Sequence, residues 1–154
     1  MSRAKSVGID GLILPDMSIE ESKDYLKSAR KNKLDTIFLV SPNTNNARLK
    51  KIAKASTGFL YMVAVFGTTG VQTKIHKYTI DSIKNTKKIV GSKLPIGIGF
   101  GVSTPNDVKK YVSAGVDAVI VGSANLKIIE NTHSSKLQRN ITEYTKKLKK
   151  STRL

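Results

Sequence analysis

The 154-residue chain contains no cysteine, and this absence removes several kinds of chemistry at once. Disulfide bonds, thiol nucleophiles and thiolate metal sites are all excluded. No apolar run approaches the roughly 18–20 residues that a membrane span requires, and residues 1–6 lack the apolar segment of a secretory signal. We therefore expect no membrane association, no metal centre built on sulfur, and a cytoplasmic location.

Acidic residues are also scarce, with 11 aspartates and glutamates against 27 lysines and arginines, so the net charge is +16. A strongly basic chain can bind nucleic acid. Most of the lysines, however, are dispersed along helical segments, as on solvated helix faces, and only the tail from Lys146 to Arg153 is dense. No aromatic residues for base stacking are interleaved in that tail. The charge predicts non-specific affinity for polyanions rather than a nucleic-acid function.

Five apolar runs alternate with amphipathic segments along the chain. The runs are almost continuously hydrophobic, which is typical of parallel strands covered on both faces. Strands alternating with helices predict an α/β fold, here a single domain over residues 1–154, and right-handed crossovers bring the carboxyl ends of the strands to one edge. The predicted strands are residues 7–14, 34–40, 59–66, 94–100 and 116–121.

Helix boundaries are marked by hydroxyl and amide side chains and by glycine. Ser18 is expected to cap the first helix, with Glu20 in its first turn, and Asn45 to cap the second. Ser103-Thr104-Pro105 predicts a helix start, and that helix is expected to end at Gly115. Further helices are predicted over residues 78–90, 124–130 and 135–150.

Two architectures accommodate five such units. A flavodoxin-like open sheet would be complete within this length. A (β/α)8 barrel needs about 250 residues, so the chain would be only part of one. The residues at the strand ends decide between these alternatives.

Glycine-containing turns follow the last two predicted strands. They read GFGVSTP at residues 99–105 and VGSA at residues 121–124. Glycine lets the backbone approach an anion, and the N–H groups at a helix amino terminus point toward it. Two such turns on consecutive strands, the second opening a short extra helix, describe the phosphate site of a (β/α)8 barrel.

Other candidate residues are less informative. The loop Gly67–Gly70 suits either a mobile lid over the site or an ordinary surface loop. Asp16 is the acidic residue at a predicted carboxyl end, whereas Asp35 and Asp117 enter strands at the opposite edge. His76 and His133 stand alone and are expected to be solvated, and Tyr61, judged on burial alone, is expected to lie in the core. No catalytic constellation and no metal-ligand cluster is evident.

Taken together, these segments resemble strands four to eight of the barrel of tryptophan synthase alpha subunits. The order and spacing match from about residue 5 to residue 150. Single glycine turns occur in other phosphate-binding barrels, but the five segments together are specific. The matching segments are GIDGLILPD at residues 8–16, LDTIFLVSP at 34–42, GFLY at 58–61 with GTTG at 67–70, GFGVSTP at 99–105, and VGSA at 121–124.

The resemblance implies cleavage of indole-3-glycerol phosphate to indole and glyceraldehyde 3-phosphate, in complex with a beta subunit that consumes the indole. Pyridoxal phosphate belongs to that beta subunit, so no cofactor is expected in this chain. Asp16 matches the segment that faces the beta subunit, and Thr69 matches the loop residue that engages a catalytic aspartate. By the same resemblance, the substrate-binding residues are Tyr61, Thr69, Gly70, Phe100, Gly101, Gly122 and Ser123.

The resemblance also implies what is absent. The family's catalytic glutamate and its partner aspartate belong to strands upstream of the matching segments, so no catalytic residue is expected here. We therefore expect the chain to be a partial barrel without its N-terminal part, inactive and poorly soluble alone. Two alternatives remain, a non-catalytic phosphate-binding α/β module and a basic polyanion-binding protein.

Overall fold

The computed structural model describes residues 1–64, 75 and 77–153, and within them it shows an α/β fold in which every strand pair is parallel. This confirms the predicted fold class. No helix in the described part is long and apolar enough to cross a membrane. The strands are β1 (Gly11–Ile13), β2 (Asp35–Ile37), β3 (Leu39–Val40), β4 (Leu60–Val63), β5 (Ile96–Gly99) and β6 (Ala118–Val119). The helices are α1 (Ser2–Ser6), α2 (Lys23–Lys31), α3 (Asn46–Ala55), α4 (Lys77–Val90), α5 (Pro105–Ala114), α6 (Ser123–Glu130) and α7 (Ser134–Lys150).

The second predicted strand divides into β2 and β3, which pair with different neighbours. β2 pairs with β1, while β3 begins the four-stranded sheet in the order β3-β4-β5-β6. Phe38, between the two halves, accepts a hydrogen bond from the Tyr61 N–H through its carbonyl at 3.0 Å. One continuous segment therefore pairs with β1 along its first half and with β4 along its second half, so β1 and β4 are offset along it. Closing a sheet into a barrel requires an offset of this kind between neighbouring strands.

The hydrophobic core lies between the four-stranded sheet and its helices. Leu60 and Met62 of β4 and Ile96 of β5 are fully buried and belong to one cluster with Ile83 of α4. The alternate residues of β4, including Tyr61, are only half-buried. Because successive side chains of a strand point to opposite faces, the helices cover one face of the sheet and the other remains more open.

Two of the predicted helix starts are confirmed by their capping hydrogen bonds. The Asn45 side chain accepts from the Arg48 N–H at 2.9 Å. The Thr104 hydroxyl accepts from the Asp107 N–H at 3.1 Å, and the Asp107 carboxylate accepts from the Thr104 N–H at 2.8 Å, which forms a capping box. That helix ends at Gly115, which adopts the left-handed conformation with φ 105°.

The predicted start of the first long helix is wrong. Helix α2 begins at Lys23, and the Ser18 hydroxyl closes a separate turn by donating to the Glu21 carboxylate at 2.6 Å. Ser22, at the helix boundary, is buried and donates its hydroxyl to the Ile19 carbonyl. Two overlapping hydroxyl-containing turns therefore occupy the segment in which the sequence predicted the first helical turn. The short helix α1, which has no buried residues, was not predicted.

Candidate phosphate-binding site at the carboxyl ends of the strands

The turn after β5 leaves the strand through two left-handed residues. Phe100 has φ 66° and Gly101 has φ 80°. For a residue with a side chain this conformation costs about 1–2 kcal/mol, and the fold holds Phe100 there although the residue is 56% exposed. Strained residues of this kind cluster where a protein positions a ligand.

Neighbouring elements fix the rest of this turn. The Asp107 carboxylate accepts from the Ser103 N–H at 3.2 Å. Tyr144 of α7 donates its hydroxyl to the Ser103 carbonyl at 2.8 Å, and burial, followed by the charge of Asp107, raises the pKa of Tyr144. The turn is therefore anchored by both α5 and α7.

The turn after β6 opens helix α6. The Ile120 N–H donates to the Ile98 carbonyl at 2.7 Å, so the pairing with β5 continues to the end of the strand. Gly122 then caps α6, and its carbonyl accepts from the Asn125 N–H at 2.9 Å. The first N–H groups of any helix lack intrahelical acceptors, and a Cβ added at Gly122 would meet no atom within 4 Å. An anion therefore has room to approach the amino terminus of α6.

The two turns lie side by side. β5 and β6 are adjacent and parallel, with Ile98 opposite Val119, so the chain leaves both strands at the same edge. The structure thus brings together four of the predicted substrate-binding residues, all of them exposed. These residues are Phe100, Gly101, Gly122 and Ser123.

Tyr61 of β4 extends this edge with aromatic surface. Its ring centroid lies 5.9 Å from that of Phe100, in an edge-on arrangement, and 6.3 Å from that of Phe59. Burial raises the pKa of the Tyr61 hydroxyl above its ordinary value of 10.0, so the hydroxyl is protonated at neutral pH and can donate a hydrogen bond. Tyr61 is half-buried beside the turn rather than enclosed in the core, which corrects the expectation based on burial alone.

Phe59 and two glycines of β5 were missed as contributors to this surface. A Cβ at Gly97 would lie 3.1 Å from the Phe59 ring, and one at Gly99 would lie 2.8 Å from Tyr61 Cζ. The sequence did contain a signal for this surface. Phe59 and Tyr61 are two residues apart in one apolar run, and Gly97 and Gly99 are two residues apart in the next. Large side chains facing small ones across paired strands form a close-packed layer.

Several predicted residues lie away from the two turns or outside the described residues. Asp16 follows β1, at the far end of the strand series, where it lines an open cavity of about 370 Å³. Thr69 and Gly70, the rest of the predicted lid and His76 fall outside the described residues, so the lid stays a prediction. His133 is exposed, as expected. It caps α7, because its ring nitrogen Nδ1 accepts a hydrogen bond from the Ser135 N–H.

Charged groups at the amino ends of the strands, opposite the candidate site, form contacts that stabilise the fold. Asp117 lies at the amino end of β6, as predicted, and accepts from the Ile96 N–H at 2.8 Å and from Lys87 Nζ at 2.7 Å. Burial alone would raise the pKa of Asp117, but the hydrogen bonds from Lys87 and Ile96 outweigh it and hold the pKa below 3.8. Among residues 1–64, 75 and 77–153, no group of three or more His, Asp or Glu side chains could hold a metal ion.

Comparison with known proteins agrees with this geometry. The family model described as "Tryptophan synthase alpha chain" matches residues 1–153. The alpha chain of Pyrococcus abyssi is 36% identical over 148 residues, covering 96% of this chain and 58% of that protein. The alpha chain of Methanothermobacter thermautotrophicus is 42% identical over 127 residues, covering 82% and 46%.

Solved structures give the same result. A chain from the tryptophan synthase a2b2 complex of Pyrococcus furiosus superposes with a TM-score of 0.84 and 33% identity, over 96% of this chain and 58% of that one. This chain therefore spans about half the length of these relatives, and it has the fold of part of their barrel. Because the family model and the relatives align with nearly all of its residues, the chain belongs to the tryptophan synthase alpha chain family.

Proposed function

We propose that this chain supplies the phosphate-binding part of a site that cleaves indole-3-glycerol phosphate to indole and glyceraldehyde 3-phosphate. The observation that carries the proposal is the pair of adjacent turns, the left-handed Phe100-Gly101 after β5 and the Gly122-capped start of α6 after β6. A helix amino terminus reached through glycine is a good binding site for a phosphate dianion.

Each side of the site has a role in this proposal. The Gly122 and Ser123 side holds the phosphate through backbone N–H groups and the serine hydroxyl, with Gly101 leaving room from the neighbouring turn. Phe100 and Tyr61 supply an apolar wall for the indole-glycerol portion, and the protonated Tyr61 hydroxyl can donate to a substrate oxygen. Thr69 and Gly70 remain proposed contributors from the loop.

The bond-breaking step needs groups beyond these. Retro-aldol cleavage requires an acid that protonates the indole ring and a base that takes the proton of the glycerol hydroxyl as the carbon–carbon bond breaks. Asp16 is the carboxylate of the described residues that lies just beyond a strand's carboxyl end, and it follows β1, at the opposite end of the strand series from the two turns. We propose that the catalytic carboxylates come from barrel strands that this chain does not contain, so the chain alone does not turn over substrate.

The partner in this proposal is a tryptophan synthase beta subunit, met by the segment around Asp16. The similar Pyrococcus furiosus chain comes from an a2b2 complex. Pyridoxal phosphate is carried by the beta subunit in this family, not by the alpha chain. We also propose a cytoplasmic location, where a phosphorylated biosynthetic intermediate would be available.

The phosphate site can be tested without activity. In a ¹⁵N-labelled sample of the soluble fraction of the chain, titrated with inorganic phosphate, we expect the amide signals of Gly101, Gly122 and Ser123 to shift together. Ser123→Ala should weaken binding several-fold, consistent with about 0.5–1.5 kcal/mol for one hydrogen bond. The matched control is Ser134→Ala, because Ser134 is also the exposed first residue of a helix. Equal affinities in both variants, or shifts spread over the lysine-rich helices, would contradict a site at these turns.

Activity is tested by comparing two forms of the protein. Indole release from indole-3-glycerol phosphate should be absent with this chain alone and present when the chain is joined to the part of a relative's barrel that it does not match. Phosphate binding without indole release in the joined protein would favour the alternative, a non-catalytic phosphate-binding α/β module. Indole release by this chain alone would show that its acid and base are present after all.

A further inference from the structure

A basic cleft lies between α4 and α5, on the helix-covered side of the sheet. It is open to solvent and has a volume of about 590 Å³. Its apolar surface includes Ile80, which is half-buried, and Ala114, which is buried. The exposed side chains of Lys84, Lys109 and Lys110 surround that apolar surface.

The carboxylates of the two helices are engaged elsewhere. Asp81 of α4 pairs with Lys77 at 2.9 Å, and Asp107 of α5 is held in the capping box of its own helix. Nearby Asp117 pairs with Lys87. None of the ion pairs found in residues 1–64, 75 and 77–153 includes Lys84, Lys109 or Lys110. Three positive charges around one cleft are thus left without a carboxylate from the described chain.

The shape and lining of the cleft select among anionic ligands. A small molecule gains affinity when most of its surface is buried, which a cleft this open does not provide. A polyphosphate has no apolar group to place on Ile80. An extended or helical peptide can lay an apolar side chain in a groove between two helices while its flanking charges meet the rim.

We propose that this cleft binds an acidic peptide segment of another protein, with an apolar side chain on the half-buried Ile80 and carboxylates at Lys84, Lys109 and Lys110. The net charge of +16 speeds the approach of an acidic partner. The three lysines fix the position of that partner on the helix-covered surface. This binding is independent of the phosphate site and of catalysis.

The test uses a fluorescent, end-blocked peptide with one leucine flanked on each side by two glutamates, and fluorescence anisotropy as the measurement. We expect the triple variant Lys84→Gln, Lys109→Gln, Lys110→Gln to weaken binding by about tenfold or more, as for loss of several close charge pairs. The matched control, Lys50→Gln, Lys51→Gln, Lys54→Gln, removes the same charge from exposed lysines of α3. The control should change affinity by less than about twofold, because only long-range attraction is reduced.

Two further measurements separate the apolar contact from general charge attraction. A peptide with serine in place of leucine should bind more weakly to the unmodified protein, and that difference should shrink in the cleft variant. Equal losses in the cleft and α3 variants, or displacement of the peptide by single-stranded DNA as readily as by unlabelled peptide, would overturn the proposal. Circular dichroism confirms that each variant is folded, and the substituted lysines are all exposed.

Discussion

Two glycines of β5 provide the space that two aromatic side chains occupy, one in β4 and one just before it. Gly97 accommodates Phe59, and Gly99 accommodates Tyr61, whose hydroxyl a methyl group at Gly99 would overlap. The aromatic wall beside the Phe100 turn therefore depends on residues with no side chain of their own. Phe59 packs with Gly97, and Tyr61 packs with Gly99. A larger residue at either glycine would therefore require a smaller side chain at its aromatic partner.

Replacement of Gly99 by alanine should lower the free energy of unfolding by about 1–3 kcal/mol, the usual cost of overpacking. The added methyl group cannot fit unless Tyr61 moves. Urea denaturation monitored by circular dichroism measures the effect, and Tyr61→Ala in the same background should recover part of the loss. Gly122→Ala is the control, because open space surrounds Gly122 and little change is expected. A neutral Gly99→Ala would show that the close approach to Tyr61 does not exist.

The lowered pKa of Asp117 makes part of the stability depend on pH. A carboxylate whose pKa is lower in the folded state contributes stability above its unfolded pKa, near 3.8, and loses it as the pH falls through the folded value. Asp117→Asn should therefore destabilise the protein near pH 6 by about 1 kcal/mol or less, because the pair with Lys87 is partly exposed. Urea denaturation of both proteins near pH 6 and near pH 3 gives the comparison. A difference that stays constant between these conditions would contradict the ionic contribution.

At the scale of single elements, helix starts could be predicted from the sequence where the capping contacts are local. The Thr104–Asp107 box needs only residues three apart, and its signal is read directly. Ser18 has a similar pattern, but its hydroxyl donates a hydrogen bond to Glu21 in a turn that precedes the helix. Glu20 forms an ion pair with Arg48 of α3. Neither the ion pair with the distant Arg48 nor the second turn could be predicted from the sequence of that segment alone.

Thr104→Ala should destabilise the protein by about 0.5–2 kcal/mol, because the Asp107 N–H loses its acceptor at the start of α5. The same change should loosen the turn that carries Phe100, so phosphate-induced amide shifts at Gly101 should become smaller. Thr104→Ser retains the hydroxyl and serves as the control. If the alanine and serine variants unfold at the same urea concentration, the capping box contributes nothing measurable.

Strand positions were predicted more reliably than strand partners. All five apolar runs contain strands, as continuous hydrophobic runs predict. The division of residues 34–40 between two neighbours was not predicted, since a register is set by contacts between segments far apart in sequence. The contribution of Phe59 to the site was missed for the same reason, because it depends on the facing glycines of β5.

At the scale of the whole molecule, the outermost strands of the series, β1 and β6, each have a neighbour on one side only among the described strands. β1 pairs only with β2, and β6 only with β5, within residues 1–64, 75 and 77–153. Exposed apolar residues accompany these edges, including Ile13, which is 42% exposed in β1. Unpaired edges with apolar neighbours promote association between chains.

We therefore expect this chain to accumulate in the pellet when it is produced alone and to move to the soluble fraction when it is produced with the part of a related alpha chain that it does not match. The added strands would pair with β1 and β6 and cover the open face. The ratio of soluble to pelleted protein, followed by light scattering of the soluble species, measures this. The control partner is the same segment with proline in the strand that would meet β6, because proline cannot complete the hydrogen-bond ladder. A soluble, monomeric chain without any partner would contradict the expectation.

The change of partner between β2 and β3 bears on the order in which the protein opens. The β1–β2 pair is joined to the larger sheet through one continuous strand and through contacts such as the bond from the Thr57 N–H to the Thr36 carbonyl. The fully buried residues Leu60 and Met62 of β4 and Ile96 of β5 lie on the other side of that junction. Local opening should begin where fewest buried contacts must break, so in hydrogen exchange the amides of β1 should exchange before those of β4 and β5. Strands of a related alpha chain that paired with β1 should therefore slow the exchange of its amides, at the place where this chain opens first.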